Sequence, residues 1–185
     1  ASGGGLILRK VSISGGAPLT LTEAPDLIRG ASWGTDDQII FGTSGEGLFR
    51  ISEGGGEPET LTILDTEQGE RSHTWPSIIR GRESVLCVIS TGAPLTTGQL
   101  AVLDLRTGEV TRLGLAGISP HYVSAGHLVY AAEDNSLRAV PFDATSLAVT
   151  GNPVPLIEDV VVKASVAIRL PARFARRADG LGVVS

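Results

Sequence analysis

Three histidines, one cysteine and a scatter of aspartates and arginines are the residues of this 185-residue chain that could do chemistry. Nucleophilic catalysis needs a base aimed at an activated serine or cysteine. No Gly-x-Ser-x-Gly elbow occurs, and a Ser/His/Asp set built on His73 or His121 has no support beyond the presence of those residues. Cys87 lies inside an apolar run, Val85-Leu86-Cys87-Val88-Ile89, where a buried structural thiol is expected. Asp36, Asp37, Asp134, Asp143 and Asp179 lack the Asp-x-Asp-x-Asp-Gly spacing of a calcium loop and are expected to bond their own turn backbones. Gly3-Gly4-Gly5 and Gly54-Gly55-Gly56 precede no helix and lack the lysine of a phosphate loop, so they read as turns. A single cysteine excludes an intrachain disulfide framework and a multi-cysteine metal site; no metal and no cofactor is expected. Arg169, Arg173, Arg176 and Arg177 make a basic cluster, read as a solvated face rather than a grip on an acidic partner or on membrane phosphates. Arg29, Arg71, His73 and His121 are left, and their meaning depends on the elements that hold them.

Those elements are short and turn-rich. Glycine and proline together make 34 of 185 residues, well above the usual share of about 12%. With 42% apolar and 19% charged residues, the composition is that of a folded core, not of a disordered chain. A net charge of −5 argues against wholesale nucleic-acid binding. No apolar run approaches the ~18–20 residues of a membrane span, and no signal peptide is visible in this segment.

An internal repeat organises the chain. The stretch Leu8-Arg9-Lys10-Val11-Ser12-Ile13-Ser14-Gly15-Gly16-Ala17-Pro18-Leu19-Thr20-Leu21-Thr22 returns 40 residues later as Leu48 to Thr62, with eight of fifteen positions identical. Each copy reads as a hairpin around a Gly-Gly turn. Looser copies begin near Leu100 and Leu137, and a second kind of hairpin lies between the copies, as in Arg29–Trp33 with Gln38–Phe41. A period of roughly 40–45 residues with four strands is the blade period of a β-propeller. The expected fold is therefore all-β, built of four-stranded antiparallel blades, about four blades' worth.

With strands A to D counted from the axis outward, residues 6–22 supply strands C and D, 28–63, 72–113 and 119–158 are whole blades, and 172–185 supply strands A and B. The two half-blades can complete a fourth blade within the chain, exchange between two chains as a homodimer, or belong to an arc of a longer propeller. The segment Val160 to Leu170 resists the scheme and is expected to be a strand or extended loop. Trp33, Ile39, Phe41, Leu48, Ile51, Trp75, Leu86, Leu100, Leu103, Leu128, Tyr130 and Leu137 are expected to pack between adjacent sheets. His73 and His121 fall on predicted first strands, with Arg29 and Arg71 at similar places, so a polar axial funnel for an anionic ligand or a peptide carboxylate is the candidate ligand-binding site. His127 begins a second strand and is read as a satisfied turn neighbour.

The phrases Leu48-Phe49-Arg50-Ile51-Ser52 through Gly54-Gly55-Gly56-Glu57-Pro58-Glu59-Thr60-Leu61-Thr62 and Gly30-Ala31-Ser32-Trp33-Gly34-Thr35-Asp36-Asp37-Gln38-Ile39-Ile40-Phe41 resemble the TolB-type, WD-like propeller repeat. Ser119-Pro120-His121-Tyr122-Val123 with Gly126-His127-Leu128-Val129-Tyr130, and Val140-Pro141-Phe142-Asp143 with Val149 to Pro155, are similar to propeller regions attached to bacterial serine/threonine protein kinases. Asp36-Asp37 departs from the family's Asp-Gly, and Arg80-Gly81-Arg82-Glu83 from its Pro-Asp-Gly-Arg. The resemblance implies a non-catalytic binding module, extracytoplasmic or periplasmic, that meets a protein or a small polar ligand. No kinase motif is present, so kinase chemistry does not carry over. The alternatives are the propeller of a prolyl-oligopeptidase-like hydrolase and a catalytic propeller, a lyase or lactonase, with an axial site.

Overall fold

The computed structural model describes residues 6–92, 97–160, 174–176 and 181–184. Its strands are β1 (Leu6–Ser12), β2 (Leu19–Ala24), β3 (Ile28–Trp33), β4 (Gln38–Thr43), β5 (Leu48–Ser52), β6 (Glu59–Thr60), β7 (Ser72–Ile78), β8 (Ser84–Ser90) and β9 (Gln99–Asp104). They continue as β10 (Val110–Ala116), β11 (Ile118–Val123), β12 (His127–Ala131), β13 (Leu137–Asp143), β14 (Ala148–Val149), β15 (Val154–Ile157), β16 (Phe174–Arg176) and β17 (Leu181–Val184). The described residues contain no helix. Four antiparallel sheets result: β16-β17-β1-β2, β3-β4-β5-β6, β7-β8-β9-β10, and β11-β12-β13 with β14 and β15 both on β13. They are blades 1 to 4 below, and their first strands neighbour one another, β16 against β3, β3 against β7, and β7 against β11.

Blade 1 joins the two ends of the same chain. Lys10 lies opposite Val183, Val11 opposite Gly182 and Ser12 opposite Leu181. The outer strand of blade 4 is broken in two, so the described residues hold seventeen strands where sixteen were expected. β14 pairs with Phe142–Asp143 and β15 with Leu137–Ala139, and the chain crosses between them through Thr150-Gly151-Asn152-Pro153. Pro155 donates nothing to the ladder, yet it sits within β15 opposite Arg138, because this is an outer edge strand, where proline is tolerated. The segment 161–173, including most of the stretch that resisted assignment, lies outside the described residues, as do Gly3-Gly4-Gly5, Asp179 and the side chains of the C-terminal arginine cluster.

The repeat seen in the sequence is a repeat of hydrogen bonds. Ser14 N–H donates to Ser12 Oγ and Gly15 N–H to Ser12 O; forty residues on, Gly54 N–H donates to Ser52 Oγ and Gly55 N–H to Ser52 O. Gly15 and Gly55 have φ of 95° and 85°, which side chains resist. The turn aspartates behave as expected: Asp134 accepts from Ser136 N–H and Asp143 from Thr145 N–H. Asp37, which stands where the related repeat has glycine, takes φ 60°, a conformation aspartate tolerates better than most residues.

Packing is between blades. Leu8 and Leu21 of blade 1 meet Trp33, Ile39, Phe41 and Ile51 of blade 2. Ile40 and Leu48 of blade 2 meet Val85, Cys87, Ile89, Ala101 and Leu103 of blade 3. Leu86, Val88 and Leu100 of blade 3 meet Leu128, Tyr130, Val140 and Phe142 of blade 4. Alternate residues of β8 thus serve opposite neighbours, and every residue of that strand is buried. Cys87 is fully buried, and desolvation raises its pKa to about 12, so it packs as a small apolar side chain. Two expected core residues are only half-buried. Leu137 pairs with Ala131, out of phase with the Tyr130 face that packs on blade 3. Trp75 sits at a strand irregularity with φ 53°.

Candidate functional site

That irregularity recurs in all three complete inner strands. The ladder register shifts between Ile28 and Ala31, between Thr74 and Ser77, and between Ile118 and His121. At each shift one residue takes positive φ: Gly30 at 110°, Trp75 at 53° and Ser119 at 53°. A bulge inserts a residue, bends the strand and re-aims the side chains beyond it. Gly30 is required where it stands, since a Cβ there would meet Trp75 Cα at 3.1 Å. Counting from the bulge, Ser32, Ser77 and His121 are equivalent positions on consecutive blades.

The bulges set His121, which lies beyond that of β11, apart from Arg29, Arg71 and His73, which precede those of their strands. Arg29 and Arg71, near the starts of β3 and β7, line one cavity of about 230 Å³ together with Ser44, Thr74, Ser90 and Thr97. Arg29 is buried, donates from Nε to Ser44 Oγ at 3.0 Å, and has its pKa lowered by desolvation, with nearby Asp26 opposing the shift. Arg71 is exposed. No acidic side chain is among the described residues that line this cavity.

His121 is at the other end of the inner strands. It borders a cavity of about 920 Å³ with Ser32, Ser77, Arg80, Arg82 and Tyr122. Its Nδ1 is 3.0 Å from Ser77 Oγ, and desolvation lowers its pKa. Ser32 Oγ accepts from Ile78 N–H at 3.1 Å, which ties β3 to β7.

His73 joins neither cavity. It is 1% exposed and sits between blades 2 and 3, where its Nδ1 is 2.8 Å from Thr62 Oγ1 and its Nε2 is 3.0 Å from Glu70 Oε2. Leu48 N–H donates to Thr62 Oγ1 at 2.8 Å. Glu70 is held by Asp65 N–H and by Arg112 Nη2, at 2.8 and 2.7 Å. The carboxylate takes the Nε2 proton of a neutral ring, so the threonine hydroxyl donates to Nδ1. Desolvation lowers the His73 pKa, partly opposed by Glu70. The donor order is that of a nucleophile–base–acid relay. However, Thr62 is 5% exposed and its oxygen already accepts a backbone hydrogen bond, so the cluster latches two blades together. Glu70, Thr62 and Arg112 were not singled out in the sequence; the spacing Glu70-x-x-His73 is the one local signal. His127 Nδ1 is 3.0 Å from Ala125 O, the satisfied turn neighbour expected.

No protein-family model matches the chain, and no curated protein matches it. Solved structures do. Regucalcin from Agrobacterium tumefaciens, described as a calcium-binding protein, superposes with a TM-score of 0.63 at 19% identity, over 85% of this chain and 54% of its own. Puromycin hydrolase superposes with a TM-score of 0.55 at 18% identity, over 92% of this chain and 27% of its own. A putative TolB, also from Agrobacterium tumefaciens, aligns with 73% of this chain at 14% identity with a TM-score of 0.31. The fold is that of a β-propeller. The chain spans about half the length of regucalcin and about a quarter of puromycin hydrolase. At these identities the likeness concerns fold and leaves function to the site. Among the described residues no group of three His, Cys, Asp or Glu is placed to hold a metal ion, and no helix is long and apolar enough to cross a membrane.

Proposed function

We propose that this chain is a non-catalytic propeller module that binds a small anionic group, a peptide carboxylate in the first instance, in the Arg29–Arg71 cavity. One observation carries the reading: Arg29 and Arg71, from adjacent blades, border with Ser44, Thr74, Ser90 and Thr97 a largely apolar cavity of about 230 Å³ whose described lining includes no acidic residue. Arginine matches carboxylate geometry with paired N–H donors. Arg29 is held in place by Ser44, and the exposed Arg71 is the movable partner. The kinase-associated phrases around His121 and Pro141 support placing the module in a larger bacterial receptor as its sensing or docking part. Gating of a fused hydrolase domain is the second reading, prompted by the puromycin hydrolase superposition over 92% of the chain.

Calorimetry with a short peptide, free or amidated at its C-terminus, tests the site. Binding of the free acid alone, lost in Arg71→Ala, supports the proposal. Equal binding of both peptides, or binding indifferent to Arg71, overturns it. The uninterrupted reading frame around this segment separates the kinase and hydrolase contexts.

A further inference from the structure

The larger cavity at the opposite end of the inner strands is lined by groups that the Arg29–Arg71 reading does not use. Arg80 and Arg82 both border it, and neither forms an ion pair among the described residues. Arg82 uses one N–H on Thr145 Oγ1 at 3.0 Å, which steadies the side chain and leaves its other donors uncommitted. Ser32 Oγ accepts from Ile78 N–H, so its own hydroxyl proton has no described acceptor. With Nδ1 of His121 engaged by Ser77, its Nε2 is the ring atom left for another partner.

The same lining also carries Arg50, Asp36 and Glu83. Arg50 is paired with Glu59 at 2.7 Å. Asp36 accepts a long hydrogen bond from Gln38 N–H at 3.4 Å, and Glu83 lies within electrostatic reach of Arg106, which is itself paired with Asp104. The donors of the lining with no described carboxylate partner are two guanidinium groups, a serine hydroxyl and an imidazole. That is more than the two oxygens of a carboxylate need, and it matches the three acceptor oxygens of a phosphate monoester. Trp33, Ile40 and Tyr122 supply apolar and aromatic wall beside those donors. The volume, about 920 Å³, lies in the range of small-molecule sites.

We infer that this cavity is a second ligand site, for an organic phosphate monoester whose phosphate meets Arg80, Arg82 and His121 and whose apolar body rests on Trp33, Ile40 and Tyr122. Ser32, Ser77 and His121 hold equivalent bulge positions on three blades, so the site is built by the ring and not by one loop.

Phenyl phosphate is the probe, followed by calorimetry and by phosphorus NMR, with benzoate and inorganic phosphate alongside. Saturable binding of phenyl phosphate in the micromolar to low-millimolar range, tighter than either comparison ligand, is expected. The Arg80→Ala/Arg82→Ala variant should weaken it by roughly ten-fold or more, and His121→Ala to a smaller degree. Arg71→Ala, at the other cavity, should leave it unchanged, which separates this inference from the carboxylate site. The substituted arginines are exposed or at a turn, and a circular dichroism spectrum like the parent's checks that the sheets persist. Absence of saturable phenyl phosphate binding, equal binding of benzoate or inorganic phosphate, or binding indifferent to Arg80 and Arg82 would each overturn it.

Discussion

His73 Nε2 lies 3.0 Å from Glu70 Oε2 in a seam where the two residues are 1% and 7% exposed. The contact holds a neutral imidazole between the hydroxyl of blade 2 and the carboxylate of blade 3. Glu70 is in turn anchored by Arg112 on β10, so inner and outer strands of blade 3 and the end of blade 2 share one network. Buried networks of this kind hold elements in place when every member is satisfied and are costly when one partner is removed.

Stability should therefore fall in acid, beginning in the histidine range. His73 has a folded pKa below its ordinary 6.5, chiefly through desolvation, so the unfolded chain binds the proton more readily. Its contribution is complete above about pH 6.5 and is lost as the pH falls below that value. Desolvation raises the Glu70 pKa, but the Asp65 N–H, Arg112 and His73 outweigh it and the net shift is downward from 4.5, which extends the loss below that pH. Melting temperatures measured from pH 8 to pH 4 check this; a His73→Leu variant should lose the upper part of the dependence, and an unchanged profile in that variant would rule out the assignment.

Truncating Trp33 to Ala should destabilise the protein by about 3–5 kcal/mol, the usual cost of emptying a large aromatic site. Trp33 is 7% exposed and packs with Leu8, Phe41 and Ile51 at the seam of blades 1 and 2. Urea denaturation reads the loss, and a midpoint equal to the parent's would contradict that packing.

Gly42→Ala should cost about 1–3 kcal/mol by overpacking. Its new methyl would stand 2.6 Å from His73 O and 3.0 Å from Thr74 Cα, both backbone atoms. Gly81→Ala is the contrast: the space there is open, and only φ +75° resists the change. A loss of about 1 kcal/mol is expected for Gly81 from the left-handed backbone alone, again by denaturant titration.

Blade 1 offers a crosslinking test. Ser12 faces Leu181 across the β1–β17 ladder, so a Ser12→Cys/Leu181→Cys variant oxidised at high dilution should give an intramolecular disulfide. A crosslinked dimer would show instead that two chains exchange their half-blades. Cys87, buried and with its pKa raised to about 12, should not compete and should stay unreactive to thiol reagents until the protein unfolds.

The purified chain should neither transfer phosphate from ATP nor hydrolyse peptides or esters. Steady turnover that disappears on replacing His121 or His73 would refute the binding-module proposal.

The architecture was legible along the chain because hairpins are local. The forty-residue repeat carries its turn hydrogen bonds in neighbouring residues, Ser12 with Gly15 and Ser52 with Gly55. The apolar run around Cys87 announced a buried strand, whereas the complementary half-blades at the two ends left closure within one chain, exchange between two chains and an arc of a longer propeller open. The grouping of the site residues was not legible, because it depends on which way each side chain points after a bulge. One inserted residue shifts the inward face by one position, which sets His121, beyond its bulge, in a different cavity from Arg29 and Arg71, before theirs; His73, also before its bulge, goes to the seam between blades 2 and 3. Thr62, Glu70 and Arg112 become partners of one histidine although 50 residues separate the first from the last. Thr62 reaches His73 only across the seam of blades 2 and 3, and Arg112 reaches Glu70 only through the sheet of blade 3.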